Sequence, residues 1–234
     1  MTHIYEHPKF RMMGDSGLLV EYGAGIDPQI NRKLQAARYA LTQEQPAGVF
    51  EIVPAYRSVL IVYDPLTIRC EELKGLVADL NDRLTQIELP SPETIEVPVC
   101  YGDQFGPDLK RVATRNGLSE EEVVQLHSEP AYPVYMLGFT PGFPFLGGLS
   151  EKLFTPRLDS PRTSVAAGSV GIANNQTGIY PLESPGGWQL IGRTPLKLFD
   201  PGRKTPFLLK AGDMLKFKPI FSEEFNRLVK EDVK

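Results

Sequence analysis

The sequence predicts a two-layer α+β domain over residues 1–88 followed by a closed or nearly closed β-barrel over residues 89–234. Three observations carry this reading. At 234 residues the chain exceeds the usual size of a single core. Residues 1–88 alternate short apolar strands with two amphipathic segments, whereas about half of the 21 glycines and nearly half of the 21 prolines fall between Ala131 and Gly202.

In the first part, strand candidates are Phe10 to Met13, Leu18 to Tyr22, Val49 to Pro54 and Val59 to Tyr63, each bounded by Gly, Pro or Asp. Between the pairs, Asp27 is placed to cap a helix, Pro28 takes its first position, and Ile30, Leu34, Ala37 and Leu41 share one face. A second helix is predicted from Thr67, with Leu73, Val77, Leu80 and Leu84 at helical spacing before Pro90. The order is ββαββα, and two helices that each present one apolar stripe to a four-stranded sheet make a two-layer domain. Residues 86–92, QIELPSP, read as the linker.

The second part opens with a strand at Glu93 to Cys100. Ser119 and Glu122 then form a capping box, with Leu118 and Val123 spaced as a hydrophobic staple, for a helix that ends near His127. Short strands such as Tyr132 to Leu137, Val170 to Ala173 and Gln189 to Ile191 alternate with glycine-rich connections, the pattern of a barrel that carries its loops at its ends.

Composition removes several function classes. Hydrophobic content of 41% and charged content of 23% are those of a globular chain. A net charge of -4 with scattered basic residues argues against a nucleic-acid partner. No apolar run has the roughly 18 residues of a spanning helix, and MTHIYEHPKF lacks a signal-peptide core, so a cytoplasmic chain without a membrane partner is expected. Cys70 and Cys100 have no C-x-x-C spacing and are expected to be buried free thiols. The histidines are His3, His7 and His127, with no second histidine near His127 and no H-E-x-x-H arrangement, so no metal site is expected.

The run from Gly138 to Gly148 sets Phe139, Phe143 and Phe145 among turn residues, including Pro141. A loop this apolar either packs into the core or lines a pocket or interface. Farther on, Gly168-Ser169, Gln176, Tyr180, Ser184 and Gly186-Gly187-Trp188 lie in turns that also have a purely structural reading, glycine supplying positive φ. Glycine-rich turns also present amides to anions, and Arg157, Arg162 and Arg193 add donors for a carboxylate or phosphate, although arginines are commonly just solvated. His127 is either a general base or a structural residue satisfying a helix end. No Walker loop, G-x-G-x-x-G element or Ser-His-Asp order is present, so any chemistry is shared with other chains.

The strings YPVYMLGFTPGFPFLGGL, VAAGSVGIANNQTGIYPLESPGG and WQLIGRTPLKLFDP, with the two Pro-Arg pairs ending in Arg157 and Arg162, together resemble the 5-oxoprolinase B-subunit family. Members have also been described as kinase A inhibitor KipI and as allophanate hydrolase subunit 1. The likeness runs from Gly14-Asp15-Ser16 through Pro54-Ala55-Tyr56-Arg57-Ser58 to Ala211-Gly212-Asp213 and Pro219-Ile220, with Ala166 and Phe145 departing from the residues usual there. It implies an N-terminal α+β domain followed by a cyclophilin-like β-barrel domain. It implies subunits A and C as partners, ATP with Mg2+ used by the assembly rather than bound by this chain alone, and opening of 5-oxo-L-proline to L-glutamate. Taking the residues and the resemblance together, His127, Arg157, Arg162 and Arg193 are expected in catalysis, and Gly168, Ser169, Gln176, Tyr180, Ser184, Gly186 and Gly187 in binding substrate or an anion. Phe139, Pro141, Phe143 and Trp188 are expected to line the pocket or interface. Replacing Arg162 or Arg193 with alanine is expected to abolish activity while leaving the barrel folded. Two rivals stand beside this: a KipI-like inhibitor that binds a sensor histidine kinase, and a urea-amidolyase-like carboxyl-transfer component.

Overall fold

The computed structural model describes residues 3–231 and divides into two compact units, with the break after Ser91. In the first unit the elements are β1 (His3–Met12), β2 (Gly17–Ala24), α1 (Pro28–Glu44), β3 (Val49–Pro54), β4 (Ser58–Tyr63) and α2 (Cys70–Asn81). The strands form one antiparallel sheet in the order β1-β2-β4-β3. Leu18, Val20 and Tyr22 of β2 alternate onto the same core as Ile30, Leu34, Ala37 and Leu41 of α1 and Leu73, Val77 and Leu80 of α2.

Local chemistry sets the helix ends. The Asp27 carboxylate accepts from the Gln29 and Ile30 amides at 2.8 and 3.3 Å. α2 begins at Cys70, three residues after the predicted Thr67. Asp64 holds the preceding residues in a turn, accepting from the Leu66 amide and from Thr67 Oγ1. Leu84 lies beyond α2 in a separate 3-10 turn. β1 starts seven residues earlier than predicted and carries an irregularity between Ile4 and Lys9, where the sequence has Pro8. Cys70, expected to be buried, is only half-buried, with its Sγ 3.0 Å from Met12 Sδ.

The second unit comprises β5 (Thr94–Tyr101), α3 (Leu109–Asn116), α4 (Glu120–Ser128), β6 (Ala131–Leu137), β7 (Pro144–Leu146), β8 (Arg162–Val165), β9 (Ser169–Ala173), β10 (Gln176–Ile179), β11 (Ser184–Gly186), β12 (Gln189–Arg193), β13 (Met214–Ile220) and α5 (Ser222–Glu231). Seven strands form a mixed sheet in the order β10-β9-β12-β5-β13-β6-β7, with β13 and β5 its parallel pair. The sheet curls until its two edges, β10 and β7, approach each other. Gly178 permits this, since a Cβ there would stand 3.0 Å from the Pro144 carbonyl oxygen. The result is a nearly closed barrel whose core holds Val97, Val99, Val170, Ile172, Ile191, Leu215 and Phe217. β8 and β11 form a separate two-stranded ribbon.

The capping box forms, Ser119 Oγ accepting from the Glu122 amide at 3.1 Å while Glu122 Oε2 accepts from the Ser119 amide at 2.7 Å. The structure adds α3 and α5, which the sequence reading above leaves unassigned although each carries an amphipathic stripe. Leu109, Val112 and Ala113 supply a helical stripe for α3, closed by Gly117 at φ 66°, but Gly106 and Pro107 just before it read as loop. Among the described residues no helix is long and apolar enough to cross a membrane.

Candidate functional site

A cavity of about 280 Å³ opens in the second unit. Its wall is aromatic: Phe139, Phe143, Phe145, Tyr180 and Trp188. Phe143 is the hub, with ring centroids 5.8 Å from Phe139, 5.0 Å from Phe145, and 5.5 Å from both Tyr180 and Trp188. Edge-to-face contacts of this kind fix ring orientation as well as bury area. Phe143 is 2% and Trp188 6% exposed, and with Val165, Ala173 and Leu190 they form an apolar cluster of their own. The loop from Gly138 to Gly148 thus both packs and lines a cavity, the two readings its composition left open.

Phe139 stands apart at 72% exposure and φ 67°. The Thr140 amide donates to the Gly138 carbonyl at 2.8 Å, so Phe139 is the central residue of a γ-turn of the uncommon, positive-φ kind. A bulky residue held this way is a local strain, and such strain concentrates at functional loops. The hairpin is closed behind it by the Gly138 amide donating to the Phe143 carbonyl at 3.1 Å.

The opposite side is built from the Pro-Arg pairs and the Ser184–Gly187 turn. Arg157, Pro161, Pro185, Gly186 and Gly187 complete the lining. Gly186 lies so close to the Tyr180 hydroxyl that a Cβ has no room there. Burial raises the Tyr180 pKa above the ordinary phenol value, outweighing its backbone hydrogen bond to Trp188 and the nearby Arg157 and Arg162 charges. Tyr180 is therefore a hydroxyl donor at neutral pH, not a base.

The expected residues part company here. Arg157, Tyr180, Gly186, Gly187, Phe139, Phe143 and Trp188 come together at the cavity. Arg162 is consumed by the scaffold: Nη2 donates to both Asp108 oxygens at 2.8 and 2.9 Å, and Nη1 to the Trp188 carbonyl at 3.3 Å. Asp108 also accepts from the Leu190 amide at 2.7 Å, so the pair ties β8 to β12 behind the aromatic wall. Arg193 donates its Nε to the Ala167 carbonyl at 2.9 Å, outside the lining. Alanine at Arg162 would therefore remove a brace of the scaffold together with a charge, so lost activity alone would not place Arg162 in the site.

Gly168 and Ser169 offer no free amides, because the first donates to the Tyr180 carbonyl at 2.7 Å and the second to the Ala166 carbonyl at 3.2 Å. Gln176 sits at the β9–β10 turn opposite Ala173, Pro141 is exposed on its loop, and neither lines the cavity. Ser184 pairs with Val165 on the ribbon, its Oγ buried without a hydrogen-bond partner.

His127 is also outside the cavity, fully buried in the barrel core. Thr177 Oγ1 donates to the Gly171 carbonyl at 3.0 Å and so accepts from His127 Nε2, 2.8 Å away. That leaves Nδ1 to accept from the Tyr101 hydroxyl at 2.8 Å. The ring stacks on Phe217 at 4.3 Å, and burial pushes its pKa down to about 3. A neutral imidazole with both nitrogens engaged is a core joint, which removes His127 as a general base. Sequence reasoning does not assign Phe145, Pro161 or Pro185 to the site, although all three stand in the aromatic loop, the Pro-Arg pairs and the Ser184–Gly187 turn that it singles out. It misses Asp108 altogether, which has no signal of its own and lies 54 residues from the arginine it holds.

The arrangement can hold a small ring on aromatic faces and an anion on one arginine. Its donors do not suit a hard cation: among the described residues no carboxylate lines the cavity and no cluster of His, Cys, Asp or Glu could hold a metal ion.

Comparison with known proteins gives this cavity its context. Residues 8–209 match the family model of the carboxyltransferase domain, subdomain C and D. The chain is 44% identical to the B subunit of 5-oxoprolinase from Bacillus subtilis, over 95% of this chain and 97% of that protein. It is 43% identical to the corresponding 5-oxoprolinase B subunit of Escherichia coli O157:H7, over 89% of this chain and 94% of that protein. The crystal structure of TTHA0988 matches with a TM-score of 0.76 and 40% identity over 91% of this chain, which spans only 40% of that one. With nearly the full length of both curated relatives matched at these identities, the chain belongs to the 5-oxoprolinase B-subunit family, within the carboxyltransferase subdomain C and D proteins.

Proposed function

We propose that the chain is the B subunit of an ATP-dependent 5-oxoprolinase, which opens 5-oxo-L-proline to L-glutamate together with subunits A and C. The observation that carries the reading is the aromatic cavity with one unengaged arginine, in a chain matching 97% of a curated B subunit. At about 280 Å³ the cavity lies just below the range typical of drug-sized ligands, and so suits a small ring. A nucleoside triphosphate does not fit it, because Arg157 is the only cation in its lining among the described residues. This cavity is therefore not read as the ATP site of the assembly. The barrel is read as cyclophilin-like, which carries no implication of prolyl isomerisation.

In this reading the chain binds and orients. The aromatic wall excludes water from the bound ring, and Tyr180 holds a proton to donate rather than to accept. Neither the cavity nor the relatives favours the kinase-inhibitor alternative. The test is reconstitution: purified subunits A and C with this chain should release L-glutamate from 5-oxo-L-proline as ATP is hydrolysed, and should not without it. A chain that fails to co-purify with either of them would count against the proposal.

A further inference from the structure

Of the three arginines beside the glycine-rich turns, the protein uses two for itself: Arg162, whose Nη2 is shared between both Asp108 oxygens, and Arg193 in its bond to the Ala167 carbonyl. Arg157 differs. It lines the cavity, and among the described residues its guanidinium has no hydrogen-bond or ion-pair partner. Its backbone is nevertheless pinned on both sides. Pro156 O accepts from Gln189 Nε2 at 2.9 Å, and the Leu158 amide donates to Gly187 O at 2.7 Å. A fixed backbone thus presents an unpaired cation at a wall that includes no carboxylate among the described residues.

We infer that Arg157 receives the carboxylate of a small five-membered lactam whose ring rests on Phe143, Tyr180 and Trp188, an assignment that rests on the oxoprolinase reading above. The planar guanidinium matches a carboxylate bidentately, which a lysine does not. The ring's methylene groups suit aromatic faces. Anchoring the carboxylate orients the reacting amide, because the lactam carbonyl lies just across the ring nitrogen. Arg157 is therefore the residue that separates 5-oxoproline from uncharged lactams.

Trp188 is the chain's one tryptophan and lines the cavity, so its emission reports occupancy directly. The full chain is titrated with 5-oxo-L-proline and with 2-pyrrolidinone, the same ring without the carboxylate, as wild type, Arg157→Ala and Arg157→Lys. Wild type should show saturable binding of the acid. Arg157→Ala should raise its Kd about tenfold or more, the scale of one charge-assisted pair, and Arg157→Lys should raise it less. Binding of 2-pyrrolidinone should not change. The inference is overturned if wild type shows no saturable response to the acid, if Arg157→Ala binds it as wild type does, or if both ligands lose affinity equally. Should Arg157→Ala misfold by circular dichroism, the lysine variant carries the comparison. Failure of the functional reading is separate: the assembled subunits would release no glutamate even though Trp188 reports Arg157-dependent binding.

Discussion

Arg162→Ala separates a brace from a site residue. The substitution removes two charge-assisted hydrogen bonds to Asp108, at 2.8 and 2.9 Å, and one to the Trp188 carbonyl at 3.3 Å. Asp108, 7% exposed, then keeps only the Leu190 amide among the partners described above. Removing one partner of a buried pair costs about 3–5 kcal/mol, and Arg162 is only part-buried, so the lower end, about 3 kcal/mol, applies. For a domain of this size that lowers Tm by roughly 10 °C. The assay is thermal denaturation of the isolated chain by circular dichroism, with Asp108→Asn and the double variant completing a cycle. The double variant should be hardly less stable than Arg162→Ala, giving a coupling of about 1–2 kcal/mol. If Arg162→Ala keeps the wild-type Tm to within about 1 °C and yet abolishes activity in the complex, the brace is wrong and Arg162 belongs to the site.

Three further outcomes follow from the same geometry. His127, with its pKa about 3 in the folded chain and about 6.5 unfolded, is held neutral by burial. The unfolded chain therefore binds the extra proton, and stability present above pH ~6.5 is lost as pH falls toward ~3, by up to about 1.4 kcal/mol per pH unit. His127→Gln should flatten that part of the denaturation profile, and an unchanged slope would contradict it. Phe139→Ala should shift stability by no more than about 0.5 kcal/mol, because the ring is largely exposed, while lowering glutamate release; an unaffected rate would remove Phe139 from the site. Gly186→Ala puts a Cβ against the Tyr180 hydroxyl and should cost about 1–3 kcal/mol, with a shift in Trp188 emission; wild-type Tm and emission together would contradict the packing.

The sequence carries the fold well where periodicity and caps agree. Asp27, Pro28 and the stripe of Ile30, Leu34, Ala37 and Leu41 mark α1, and Ser119 with Glu122 marks α4, because caps and stripes are local chemistry. α3 is hidden behind Gly106 and Pro107, and the curl that brings β10 to β7 depends on contacts that no local pattern encodes. For the site, the aromatic loop and the Gly186-Gly187-Trp188 turn point to the right region. What the residues alone do not sort is which arginine is free. Arg157 and Arg162 each follow a proline and read alike, and only Asp108, brought from across the barrel unit, reveals that one is spent on structure. His127 likewise reads as an acid-base candidate until Tyr101, Thr177 and Phe217 close around it.

The most direct test of the account is to titrate this chain into purified subunits A and C and follow L-glutamate formed from 5-oxo-L-proline. Activity should rise from nothing to a plateau at a fixed ratio of chains. The Arg157→Ala chain should reach its plateau at the same ratio but need a higher substrate concentration, since assembly is intact and only the carboxylate anchor is gone. Glutamate release that proceeds equally well without this chain would contradict the account.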